Sequence, residues 1–390
     1  MAASAIKDVG AYLTAKQTSE KDKDLADSWS KLEELYNKKL WHQLTLQLET
    51  FVKHPSLQTD GKLIDLYNNF IQVFENKINP LSLVEILSDV VQQFTDKKEA
   101  VAFLTKTDAK VSSSQEALAL CKVFRAQITL EHLSDQATAK VLIDEIEHIL
   151  DETAGITPVH GRYYLLASQL YRIQGKHAEY YRTALRYLGC IELADLSVAE
   201  QEGHAFFLGL AALLGDGVYN IGELASIYAL AHPVLATLKG SENAWLIELL
   251  YAFNSGDINL FEKMKPRWSS IADLAAHELK LRQKISLLCL MEMAFKRPAI
   301  SRQLTFEEIA KEARLPMNEV ELLVMKGLAQ GLVKGAIDQV NGTVHITWVQ
   351  PRVLDKQQIS SMVQRLDSWC KDVNGMSGLL ESKANDILTL

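Results

Sequence analysis

The chain is poor in the residues that build secreted, membrane-spanning and metal-dependent proteins. It has four cysteines in 390 residues (Cys121, Cys190, Cys289 and Cys370), widely separated and without a CxxC pair. That spacing argues against a disulfide framework and a cysteine zinc site, and it suits a reducing compartment. Prolines number only eight, which leaves room for long uninterrupted helices. No apolar run reaches the length that crosses a bilayer. The opening MAASAIKDVGAYLTAKQTSEKDKD lacks the apolar core of a signal peptide. Basic charge is also scarce: 41 Lys and Arg face 49 Asp and Glu, a net charge of −8. Nucleic acid is bound through basic surface, so this balance argues against a free nucleic-acid binder.

Recognisable catalytic motifs are missing too. Gly215-Asp-Gly217-Val-Tyr-Asn-Ile-Gly222 has the wrong spacing for a dinucleotide loop, follows no strand and precedes no GK[ST]. It reads as a turn between helices. Asp144, Glu145, Glu147 and His148 crowd one helix and read as a solvated face. His277-Glu278 lacks the second His of a zinc-protease helix. No cofactor and no metal are expected, and no enzymatic activity.

What the chain does have is helical period. Residues 1–24 are polar and are expected to be loosely ordered. From Leu25 the 3.6-residue repeat takes over, and no β-like alternation of any length appears before residue 332. Trp29, Leu32, Leu35, Tyr36, Leu40, Leu44, Leu48 and Phe51 mark two helices broken near Asn37-Lys38-Lys39. Further helices are expected at about 61–76, 81–95, 114–132, 136–151, 159–174 and 178–193. The period continues at about 200–214, 245–254, 260–268 and 272–295. Helix pairs recurring in this way suggest an α-solenoid. The clearest unit, RYYLLASQLYRIQGKHAEYYRTALRYLG, resembles the small/large alternation of a tetratricopeptide repeat at Ala167, Leu170, Tyr171, Gly175, Tyr181, Ala184 and Leu188.

One stretch departs from this texture. Gln303 to Leu354 reads as two short helices and a hairpin, the order of a winged helix. Thr305 and Glu308 form a capping box flanked by Leu304 and Ile309. Asn318 and Glu321 suggest a second box, flanked by Met317 and Leu322, and Gly331 a helix stop. Asn341-Gly342 signals a tight hairpin. A two-residue turn there sets Ile346 opposite Ile337, Trp348 opposite Gly335 and His345 opposite Asp338. Val344, Ile346 and Trp348 then share the face to be buried. The module is not basic: Glu307, Glu308, Glu312, Glu319, Glu321 and Asp338 offset Lys311, Arg314, Lys326, Lys334 and Arg352. Its second helix is mainly aliphatic, unlike a helix that reads a major groove. Protein contact is the expected role. An open strand edge at Thr343–Val349 is expected to accept a neighbour's strand, with the N–H of His345 or Thr347 pointing outward.

The segment after the hairpin is a separate object. Asp355 and Gln358 can cap a helix to about Asn374, with a last short apolar segment beyond it. Ile359, Met362, Val363, Leu366, Trp369, Cys370 and Val373 recur at a 3–4 spacing, a narrow coiled-coil-type seam. Ile359, Met362, Val363, Leu366, Trp369 and Val373, with His345 and Thr347, are the candidate contact residues.

The expected fold is mainly α, in four parts. Residues 1–24 precede a helical-repeat solenoid over 25–270. A winged-helix module with a small sheet covers 271–354, and C-terminal bundle helices cover 355–390. This succession resembles the PCI-domain family, which builds the proteasome lid, the signalosome and an initiation-factor complex. LYAFNSGD, LCLMEMAFKRP, LTFEEIA, NEVELLVMKGL and TWVQPRVL carry the resemblance, and they are most similar to PCI subunits of the proteasome lid. One departure is ASIYALA at 225–231, which separates Gly222-Glu223-Leu224 from His232-Pro233. The resemblance implies a non-catalytic scaffold in the cytoplasm and nucleus. The implied partners are other PCI and MPN subunits of the lid and an adjacent ubiquitin receptor, in a hetero-oligomer without nucleic acid or membrane. A PCI subunit of a related complex, a winged-helix nucleic-acid factor and an enzyme with a discontinuous site are the alternatives.

Overall fold

The helices begin where a short polar side chain can take the first free backbone N–H groups. Asn79, Asp96, Ser114, Asp135, Ser197 and Asp257 each accept such a bond at a helix start. The computed structural model describes residues 9–19, 23–58, 61–153, 155–221, 224, 237–298, 301–351 and 356–383. The extra segment at 225–231 lies outside them.

Among the described residues the chain divides into two compact units. The first runs to Gly175 and includes Arg182–Ile191; the second comprises Lys176–Tyr181 and the chain from Glu192. This division by packing is distinct from the expected boundary at residue 270 between the helical repeats and the winged-helix module.

The first unit holds α1 (Val9–Ser19), α2 (Lys23–Asn37), α3 (Trp41–Val52), α4 (Lys62–Leu66), α5 (Gln72–Phe74), α6 (Pro80–Gln92), α7 (Lys97–Val111), α8 (Gln115–Glu131), α9 (Gln136–Asp151) and α10 (Pro158–Ile173). A π-helical turn, Tyr67–Ile71, joins α4 to α5. Successive helices pack pairwise, α8 against α7, α9 and α10. Aromatic rings fill the early core: Trp29 meets Phe51 edge-on at 4.8 Å, and Phe70 meets Phe74 at 4.9 Å. α1 corrects the expectation of loose order for Val9–Ser19. Leu13 is fully buried, and the Tyr12 hydroxyl donates to Asp65 at 3.1 Å. Its anchors, Val9 and Leu13, are only one helical turn apart among polar residues, too few to show a period. α7 is likewise absent from the sequence reading. Its buried face is only Ala100, Leu104, Thr107 and Val111.

α11 (His177–Cys190) is shared between the units. The second unit continues with α12 (Val198–Leu214), α13 (Ala244–Ser255), α14 (Ile258–Lys263), α15 (Lys265–Trp268), α16 (Ala272–Ala276) and α17 (Glu278–Lys296). β1 (Gln303–Thr305), α18 (Phe306–Ala313), α19 (Met317–Ala329), β2 (Val333–Asp338) and β3 (Thr343–Val349) form the winged helix, and α20 (Lys356–Lys383) follows. The sheet is antiparallel with order β1-β3-β2. α17 is the spine of this unit: α12, α13, α18, α19 and β3 all pack on it. Among the described residues no helix is long and apolar enough to cross a membrane.

Candidate protein-interaction surfaces

Two motifs that stood out in the sequence build the base of the winged helix. In LYAFNSGD, α13 ends at Gly256 in the left-handed region, φ +66°. A Cβ there would lie 2.7 Å from the Cα of Cys289, so only glycine lets α13 meet the backbone of α17. Asp257 then caps α14 by accepting from the Leu260 N–H at 3.1 Å. In LCLMEMAFKRP, Arg297 pairs with Glu308 at 3.0 Å and donates to the Gln303 carbonyl at 2.5 Å. Thr305 and Glu308 form the expected capping box. The Thr305 N–H and then Arg297 hold the Glu308 carboxyl below its ordinary range.

The glycine turn after α12 serves the same construction. Lys284 of α17 is buried, and its ammonium donates to the carbonyls of Ala212, Leu213 and Gly215 at 2.7, 3.1 and 2.9 Å. Burial drives its pKa down to about 7. The nearby Asp216 carboxylate opposes that shift, and three carbonyls at the end of α12 take one N–H each. The Tyr219 hydroxyl, from the same turn, donates to Gln330 at the end of α19 at 2.8 Å. The turn that superficially resembles a dinucleotide loop is therefore a structural joint. Lys284 was missed in the sequence. A helix apolar all round, as ISLLCLMEMA is, must be buried, and a lysine beside it then requires partners.

The sheet departs from the sequence reading in three ways. First, Asp338 pairs with Thr343, Ile337 with Val344 and Ala336 with His345. The hairpin loop is thus Gln339–Gly342, not Asn341-Gly342 alone. Asp338 sets this length by accepting from the backbone N–H and side-chain amide of Asn341. Second, Val344 and Ile346 are fully buried, but Trp348 is half-exposed. A bulge between Lys334 and Gly335 shifts the register there, and the Lys334 ammonium lies 5.0 Å from the Trp348 ring. Third, β3 is the central strand. His345 pairs with both Gln303 and Ala336, so it cannot offer a free edge. The Thr347 hydroxyl donates to the Lys334 carbonyl at 3.1 Å. β1 is only three residues long and carried no readable alternation, which hid this pairing. The outer strand on the hairpin side is β2.

The second capping box is also corrected. α19 starts at Met317 behind Pro316, with no side-chain cap, and Met317 and Leu322 are exposed. With Met325 they put apolar side chains on the outer face of this helix. Its basic neighbours are engaged within the unit: Lys326 donates to Gln283 at 2.7 Å, and Arg314 to Glu262 and Asn259. This face presents little free cation for a phosphate.

α20 is one continuous helix of 28 residues that runs past Asn374 and takes in Leu379 and Leu380; the rest of the expected last apolar segment lies outside the described residues. Every residue from Ile359 to Lys383 is exposed. Leu366 is 55% exposed and Trp369 64%. Ile359, Met362, Val363 and Val373 share this exposure, as do Met376, Leu379 and Leu380 further along. Six of the candidate contact residues thus lie together on α20, while His345 and Thr347 sit in the sheet. Elsewhere, Glu145 pairs with Lys122 at 2.7 Å. Among the described residues no group of three or more His, Cys, Asp or Glu is placed to hold a metal ion.

Paired helices leading into a winged helix, with a terminal helix beyond, define a PCI-type protein. Residues 28–250 match the family described as PSD13 N-terminal repeats, and residues 261–348 match the PCI domain. The chain is 37% identical over 374 residues to the 26S proteasome non-ATPase regulatory subunit 13 homolog B of Arabidopsis thaliana, covering 94% of this chain and 96% of that one. It is 37% identical over 375 residues to the 26S proteasome non-ATPase regulatory subunit 13 of Dictyostelium discoideum, covering 94% and 95%. It is 34% identical over 384 residues to the 26S proteasome regulatory subunit RPN9 of Saccharomyces cerevisiae, again covering 94% and 95%. The chain belongs to the family of 26S proteasome non-ATPase regulatory subunit 13.

Proposed function

We propose that the chain is a non-catalytic scaffold subunit of the 26S proteasome regulatory-particle lid, acting in lid assembly and ubiquitin-dependent degradation in the cytoplasm and nucleus. One observation carries this reading: similarity to 26S proteasome non-ATPase regulatory subunit 13 proteins spans 94% of the chain. In this reading residues 25–270 form a helical-repeat region that reaches neighbouring subunits and an adjacent ubiquitin receptor. Residues 271–354 form the PCI platform, and 355–390 enter a bundle with helices of other PCI and MPN subunits. Deubiquitination belongs to a different, zinc-holding subunit. The winged helix joins its neighbour by strand addition at β2, the open hairpin edge, in place of β3.

The test is purification of the tagged full-length chain from cells, with identification of stoichiometric partners. Other lid subunits should co-purify, and deletion of 355–390 should remove them while the rest stays helical. Stoichiometric partners from the signalosome or an initiation-factor complex instead would overturn the assignment. One tightly held zinc per chain would overturn its non-catalytic part. A proline at Ile337, whose N–H alternates away from β3 because Ala336 and Asp338 pair with His345 and Thr343, should weaken docking if β2 is the contact; unchanged assembly would reject that strand.

A further inference from the structure

The seam on α20 is more regular than a generic apolar stripe. Ile359, Met362, Leu366, Trp369, Val373, Met376 and Leu380 alternate in steps of three and four along one uninterrupted helix. These are a and d positions of a heptad repeat, with Ile359, Leu366, Val373 and Leu380 at a. The helix has 28 residues, about 42 Å at ~1.5 Å per residue. A strict 3.5-residue period calls for a long helix as partner, because only a supercoiled pair keeps such a seam buried throughout.

The flanking positions say which helix. Gln358, Arg365, Asp372 and Leu379 occupy g; Val363, Cys370 and Ser377 occupy e. In a parallel pair g faces e of the partner, so Arg365 would meet Cys370, and Asp372 would meet Ser377. No charge would be matched, and Trp369 would be opposed by its own copy in one crowded layer. In an antiparallel pair g faces g and e faces e. Centred between Asp367 and Ser368, that arrangement sets Leu366 against Trp369 of the second copy, Met362 against Val373, and Ile359 against Met376. The same register sets Arg365 against Asp372 of the second copy, twice by symmetry, and Val363 against Cys370. Bulk is matched with smaller partners, opposite charges meet, and Val363 and Cys370 make the centre of the e side apolar. Polar residues, Ser360, Ser361, Gln364, Ser368 and Lys371, fall on the outer positions b, c and f.

We infer that the free chain pairs with a second copy of itself through an antiparallel coiled coil of α20, in the register that joins Arg365 to Asp372. This uses the seam that the proposed function gives to helices of other subunits. Self-pairing and assembly therefore compete, and the free subunit is held soluble with its seam covered until partner helices displace the second copy.

The test uses the full-length chain and its variants Arg365→Asp, Asp372→Arg and the double swap, followed by sedimentation velocity over a dilution series. All three alter only exposed residues, and far-ultraviolet circular dichroism should show unchanged helicity. The wild type should dissociate reversibly from dimer to monomer on dilution. Each single swap opposes like charges twice and should weaken the dimer by about tenfold or more. The double swap restores the pairs and should return the dissociation constant to within about threefold of wild type. Val363→Cys with the native Cys370 should give an intermolecular disulfide on mild oxidation, and Val363→Cys with Cys370→Ser should not. A wild type that is monomeric throughout would overturn the inference, as would single swaps without effect or a double swap that fails to rescue. Co-purification of the same variants with lid subunits separates the two readings. Swaps that abolish co-purification and leave self-association untouched would reject self-pairing and keep the lid assignment. Intact self-association in a wild type that enters no lid would do the reverse.

Discussion

α17 and α20 are both long helices rich in aliphatic residues, and they meet opposite fates. On α17, Leu281, Ile285, Leu287, Leu288, Leu290 and Met291 are buried, together with Lys284, Ser286 and Glu292. On α20, all of Ile359–Lys383 is exposed. The difference lies in how the apolar residues are distributed. Those of α17 surround the helix, so it must be enclosed, and even its polar side chains need internal partners. Those of α20 keep to one seam, so the other side can stay in water and the seam alone needs a cover. An apolar helix can thus form the spine of a domain or leave its apolar seam exposed, and pattern decides which.

The largest expected effect breaks the enclosed member of this pair. Lys284→Met keeps the aliphatic stem but strands the carbonyls of Ala212, Leu213 and Gly215. Stranding buried polar groups in this way should destabilise by about 3 kcal/mol or more, measured by urea denaturation. A loss below about 1 kcal/mol would mean that water reaches these carbonyls and that Lys284 is no joint. Gly256→Ala comes next. It places a left-handed Ala against the α17 backbone, at an expected cost of about 2–4 kcal/mol. Gly331 has a similar φ of +69° but nothing within 4 Å of a Cβ. Gly331→Ala should therefore cost only about 1 kcal/mol. Equal losses at the two glycines would show that α13 does not press on α17.

The same contrast explains what could be read from the sequence. Helices with a broad one-sided stripe, and the Thr305–Glu308 box, are local patterns, and they appear where expected. So does the α20 seam, because its period is its own. What escaped depends on distant partners. α1 and α7 hold their places by a few buried residues each, supplied with neighbours by other helices. β1 is three residues whose strand identity comes only from pairing with β3. The loop length at Gln339–Gly342 was set by an Asp338–Asn341 interaction that outweighed the Asn-Gly signal. The candidate contact residues divide in the same way: those on α20 share one face of one helix, whereas His345 lost its edge to the distant strand β1.

A smaller effect is expected at the winged-helix entrance. Thr305→Ala removes the acceptor for the Glu308 N–H, and Glu308 still has Arg297. Losing a single N-cap should cost about 1 kcal/mol, read from the denaturation midpoint. Arg297→Ala should give a loss of the same order, because a half-exposed ion pair contributes little beyond the bond to the Gln303 carbonyl. A loss at either position as large as that of Lys284→Met would reverse the ranking of the two joints.

The smallest expected effect on the isolated chain falls on α20, and it sharpens the comparison most. Leu366→Asp with Trp369→Ala changes two of the most prominent exposed apolar side chains. At dilutions where the chain is monomeric, exposed substitutions that remove no internal contact should shift stability by less than about 0.5 kcal/mol. Entry into an assembly is a different matter. Covering a large aliphatic or aromatic side chain favours docking by about 1.5–3 kcal/mol, and a buried, unpaired Asp opposes it further. Co-purification with lid subunits should therefore be lost while the unfolding curve barely moves. Fold-back of the seam onto the chain's own winged helix predicts the opposite, a clear loss of thermal stability with partner binding intact. Measuring both quantities on one double variant decides whether α20 is a docking element or a second spine.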